Sequence, residues 1–93
     1  MTSQEFTDYL AACGRADEVN AQLSKLGFTT DFVIKNVLSA QETVTVSRVA
    51  MLWQGMPNKH DRKRTRALFD TLTEIGLLAS LGDEETWTVV SVK

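Results

Sequence analysis

Lys59-His60-Asp61-Arg62-Lys63-Arg64-Thr65-Arg66-Ala67-Leu68-Phe69-Asp70-Thr71-Leu72-Thr73-Glu74-Ile75-Gly76 is the stretch on which the reading of this chain turns. Thr65, Leu68, Phe69, Leu72 and Ile75 recur with the helical period and define an inner face. Gly76 follows where a helix is expected to stop. On the opposite side Lys59, Lys63, Arg66 and Asp70 fall on one stripe (i, i+4, i+7, i+11), flanked by Arg62. Arg64 sits nearer the core-side edge, where an acid can pair with it. The order of charges is unusual. A helix N-terminus carries partial positive charge, so each cation there costs about 0.3–1 kcal/mol at low salt. Basic side chains beside free backbone N–H groups instead suit an anion, and phosphate is the first candidate.

Upstream, Gln54-Gly55-Met56-Pro57-Asn58 reads as a turn, since Gly and Pro both break helices. Before it Ser47 is expected to cap a short helix carrying Val49, Ala50, Leu52 and Trp53. Gln41 to Val46 is β-branched and alternating, which predicts a brief strand. Thr29 or Thr30 caps a helix with Phe32, Val33, Val37 and Leu38 on its apolar side. A helix from about Asp17, with Val19, Leu23 and Leu26, ends at Gly27. The first helix opens with Thr2 and Glu5 at capping-box spacing, carries Phe6, Tyr9, Leu10 and Cys13, and stops at Gly14. Downstream, Leu77–Leu81 and Thr86–Val92 are strand formers around the polar turn Gly82-Asp83-Glu84-Glu85, which predicts a hairpin. Trp53 and Trp87 fall in apolar-periodic segments and are expected as core anchors rather than stacking platforms. Cys13 shares a stripe with Phe6 and Leu10 and is expected to be a small buried hydrophobe.

At 93 residues and 43% apolar content the chain is sized for a single domain, residues 1–93, with enough core to fold. One cysteine excludes an internal disulfide and a cysteine-based metal site. One histidine far from it in sequence, with no glycine-rich phosphate loop, gives neither a nucleophile–base pair nor a cofactor motif. No enzyme activity, catalytic residue, metal or cofactor is therefore expected. No apolar stretch is long enough to span a bilayer and Met1–Phe6 lacks a signal peptide's pattern, so a soluble cytoplasmic protein is expected. The net charge of −2 conceals a division. Residues 46–66 hold six bases against one acid, whereas the flanking segments are both acidic. An acidic body with one basic patch suits local steering rather than general stickiness.

From residue 30 onward the order is helix, short strand, helix, turn, helix, hairpin. That order resembles the winged helix-turn-helix domain. Thr45-Val46-Ser47-Arg48-Val49-Ala50 is similar to the strand leading into its second helix, with a small residue at the helix crossing. Arg66 to Leu78 is similar to the end of its recognition helix running into the wing. The resemblance implies an α+β, mostly helical fold: a winged-helix module over 29–93, a helical extension over 1–28 and a C-terminal β-hairpin wing. It implies that Asn58, Lys59, His60, Arg62, Lys63 and Arg66 lie nearest double-stranded DNA, with Arg48 added from the preceding helix. Lys59, Lys63 and Arg66 would meet phosphate, and Arg62 or Arg66 base edges. The role expected is a transcriptional regulator or an accessory factor of replication or recombination. Residues 3–26 are extra to the minimal fold and would complete the core or build a homodimer interface.

One feature departs from the family pattern. The wing tip Asp83-Glu84-Glu85 has three acids and no base, and phosphate would repel it. The alternative expectation is therefore a winged-helix adaptor that captures another protein, as small mobile-element proteins capture host factors, and does not itself touch DNA.

Overall fold

A computed structural model describes residues 2–39, 43–83 and 85–90. The elements run α1 (Ser3–Cys13), α2 (Ala16–Leu26), α3 (Thr30–Val33), β1 (Thr43–Thr45), α4 (Val46–Gln54), α5 (Lys59–Glu74), β2 (Leu78–Ser80) and β3 (Thr86–Val89). The chain is α+β and mostly helical, with one small antiparallel sheet ordered β1-β3-β2. Most helix starts follow from local chemistry. Thr2 and Glu5 close a capping box at α1, and Thr29 accepts the Phe32 N–H at 3.1 Å to open α3. Beyond Val33 the backbone widens into a π-helical turn over Ile34–Leu38, which still buries Val37 and Leu38.

The inner face of α5 is as the periodicity predicts: Thr65, Leu68, Phe69, Leu72 and Ile75 are all buried. The four apolar ones join Phe6 and Leu10 of α1, Val19 and Leu23 of α2, Val49 of α4 and Trp87 of β3 in one apolar cluster. Phe69 meets Trp87 edge-on with ring centroids 5.0 Å apart. Trp87 is thus a buried anchor, whereas Trp53 is half-buried, with its ring tilted against Phe28 at a centroid distance of 4.8 Å. The apolar side chains of α1 and α2 complete the protein's own core.

The C-terminal half of α5 is clamped. The Gly76 and Leu77 N–H groups return to the Thr73 and Leu72 carbonyls, closing the helix in a Schellman motif. The Tyr9 hydroxyl donates to the Ile75 carbonyl at 2.5 Å. Arg15, at the start of α2, pairs with Glu18 at 2.6 Å and reaches Glu74 at 3.8 Å. At the other end, the Trp53 indole donates to Thr65 Oγ1 at 3.1 Å and ties α4 to α5.

Three local expectations are corrected. Thr45, not Ser47, caps α4, accepting the Arg48 N–H at 3.2 Å. The strand therefore ends at Thr45 and Val46 is already helical and buried; Gln41 and Glu42 lie outside the described residues. Cys13 is exposed, because it sits in the last turn of α1, past the Phe6 and Leu10 turns that bury against the core. On α4, for which no inward face is predicted from the sequence, Val46, Val49 and Ala50 are buried and Leu52 turns outward. The hairpin strands are shorter than the apolar runs, as pairing covers only Leu78–Ser80 and Thr86–Val89; residues 91–93 lie outside the described residues.

Candidate nucleic-acid interface

The basic helix begins with a second capping box. Asn58 Oδ1 accepts the Asp61 N–H at 2.9 Å, and Asp61 Oδ2 accepts the Asn58 N–H at 3.0 Å. Asp61 is thus the acid that the N-terminus requires, and its carboxylate offsets part of the cost of the surrounding cations. The same bond commits the Asn58 carbonyl oxygen to the cap, so of its polar atoms only the amide nitrogen is left for a ligand.

Lys59, Arg62, Lys63 and Arg66 are exposed and together form one wall of an open groove of about 760 Å³. Its other wall is Val46, Ser47 and Glu85, so the groove lies between α5, the start of α4 and the β2–β3 turn. None of the four cations forms an ion pair among the described residues, where both pairs belong to Arg15. Arg66 and Asp70 carry the surface on into a smaller cavity of about 300 Å³ bounded by Thr73, Ser80 and Trp87. His60 faces elsewhere, into a cleft of about 280 Å³ shared with Leu26, Lys63 and Arg64. Arg48 is exposed on α4 but does not line the groove. Arg64 is exposed too, and no acid pairs with it among the described residues.

Two of the turn's acids are engaged. Asp83 accepts the N–H groups of Glu85 at 3.0 Å and Thr86 at 2.7 Å, and these bonds hold its carboxyl below the usual aspartate value. Glu85 Oε1 accepts from both the N–H and the hydroxyl of Ser47, at 3.0 and 2.8 Å. The Val46 N–H also donates to the Glu85 carbonyl at 3.1 Å. The turn is therefore fastened to the first residues of α4, next to the basic helix. Neither Ser47 nor Glu85 stands out in the sequence as a groove residue, because their contact spans 38 positions and nothing local announces it.

Chemically the groove offers four exposed cations and two carboxylates, Glu85, which is bonded to Ser47, and Asp70, which has no bond among the described residues. Among the described residues no cluster of His, Cys, Asp and Glu could hold a metal ion, and no helix is long and apolar enough to cross a membrane. No protein family, curated protein or solved structure matches this chain.

Proposed function

We propose that this chain is a small DNA-binding winged-helix protein, a regulator or a replication or recombination accessory factor, that offers α5 to the major groove. The observation that carries the proposal is the cationic wall: four exposed, unpaired basic side chains on successive turns of one helix, lining one groove. The order of elements and the β1-β3-β2 sheet agree with it. Lys59, Arg62 and Lys63 contact phosphate, and Arg66, deeper along the helix, reaches base edges through its planar fork. Asn58, His60 and Arg48 flank the contact surface.

Binding to mixed-sequence duplex, measured at several ionic strengths, tests this. Three neutralised phosphates give a slope of log affinity against log salt of about −2.7, which is a loss of about 40-fold between roughly 50 and 200 mM salt. Lys63→Glu/Arg66→Glu abolishes most of the binding without changing the fold, because both side chains are exposed. No duplex binding at about 50 mM salt refutes the proposal.

A second reading has its own observation. Met51, Leu52 and Met56 are 58%, 54% and 93% exposed at the corner between α4 and α5. Flexible, apolar methionines in such a place suit an adaptor surface for a protein partner. That reading takes over if duplex binding fails and Met51→Ser/Met56→Ser instead abolishes capture of a protein partner.

A further inference from the structure

The described carboxylates of α5 and the β2–β3 turn all have internal work except one. Asp61 closes the cap of α5, and Glu74 lies 3.8 Å from Arg15. Asp83 holds the turn, and Glu85 is bound to Ser47. Asp70 is exposed and has no hydrogen bond or ion pair among the described residues. Yet it lines both cavities along the helix, beside Arg66 in each. The pair stands at i, i+4 with the base first, the weaker order for a helical ion pair, and no bond closes between them.

A free carboxylate on a surface that meets phosphate lowers affinity unless the ligand supplies a donor. In the major groove cytosine presents its N4 amine as a donor, whereas adenine sets an acceptor, N7, beside its donor N6. A carboxylate is therefore matched to cytosine and mismatched to the acceptor edges of guanine and thymine. Four helical residues span about 6 Å, against a rise of about 3.4 Å per base pair. Asp70 thus falls one or two base pairs from the position that Arg66 addresses.

We infer that Asp70 is a specificity-determining residue that accepts from cytosine N4, next to a guanine whose O6 and N7 take the Arg66 guanidinium. The inference rests on the proposal that α5 faces duplex DNA. Selection from a randomised duplex pool with the full chain tests it, using wild type, Asp70→Asn and Asp70→Ala at one ionic strength. Wild type selects cytosine at one position beside a selected guanine. Asp70→Asn moves that preference to adenine, because an amide pairs with both N6 and N7. Asp70→Ala loses about tenfold discrimination there and keeps the guanine. Two results overturn the inference while leaving the DNA reading intact. One is a wild type that binds duplex with no base preference. The other is a pair of variants that bind every duplex more tightly and select the same sequences as wild type, which would make Asp70 a source of repulsion alone. Absence of duplex binding by wild type refutes both.

Discussion

Gly76→Ala tests how α5 is held at its far end. Gly76 has φ +85°, a left-handed conformation that costs an L-residue about 1–2 kcal/mol. The added Cβ would also stand 3.0 Å from Tyr9 Oη. That hydroxyl donates to the Ile75 carbonyl, and moving it forfeits a hydrogen bond worth about 1 kcal/mol. The expected loss is therefore about 2–3 kcal/mol, from the backbone and hydroxyl contributions together. Gly27 supplies the control inside the same molecule. It ends α2 at φ +87° with the same pair of return hydrogen bonds, and a Cβ there meets nothing within 4 Å. Gly27→Ala should cost only the backbone part, so the two variants should differ by about 1 kcal/mol, or about 4–8 °C in Tm. Tyr9→Phe separates the causes. It loses the hydrogen bond alone, and combined with Gly76→Ala it removes the obstructing oxygen. The double variant should then be about 1 kcal/mol more stable than additivity predicts. Urea unfolding followed by far-UV circular dichroism measures all four. Equal losses at Gly76 and Gly27, or strict additivity with Tyr9→Phe, would refute the reasoning.

Two further predictions concern the other contacts that shape the groove. Thr65→Val keeps the shape of the side chain but leaves the half-buried Trp53 indole N–H without its acceptor, so stability should fall by about 1–3 kcal/mol. Adding Trp53→Phe should recover part of that loss, and a Thr65→Val variant as stable as wild type would show that the indole bond contributes nothing. Asp83 gives the pH dependence. Its carboxyl is held below the usual value of 3.8 by hydrogen bonds from Glu85 and Thr86. A depressed folded value means that its contribution is complete above the unfolded value and disappears as pH falls through the folded one. The stability difference between wild type and Asp83→Asn should therefore shrink through that acidic window. A difference that is constant across it contradicts the assignment.

The parts of the fold that were legible in the sequence are those fixed by period and by local bonds. A helical repeat fixes which side chains share a face whatever that face packs on, which is why Thr65, Leu68, Phe69, Leu72 and Ile75 could be named together. It does not say where the neighbouring element ends. Cys13 shares a stripe with the buried Phe6 and Leu10, yet it is exposed. The α4 cap failed differently. Thr45 and Ser47 are both good capping residues, and the choice between them is made by the pairing of β1 with β3, where Thr45 stands opposite Thr86. For the candidate groove the sequence showed the cationic wall, because consecutive turns of one helix make it. The facing wall comes from residues 38 positions apart and had no local signal. The Asn58–Asp61 box did have one, its capping-box spacing, but it lies within a run of bases.

The acidic turn changes meaning once its bonds are known. Counted as formal charge, Asp83, Glu84 and Glu85 argue that the turn is repelled by phosphate. In the structure Asp83 is spent on two backbone N–H groups, and Glu85 sits on the N–H and hydroxyl of Ser47 at the positive end of α4. Each of these carboxylates faces donors that balance part of its field locally, and neither is free to swing toward a ligand. The same bonds fix the separation between the turn and α5, because the turn is fastened to α4 and α4 is tied to α5 through Trp53 and Thr65. Glu85 is thus less an obstacle to an anion than a strut that sets the width of the groove. That leaves Asp70 as the carboxylate on the cationic stripe whose charge is neither capped nor paired among the described residues.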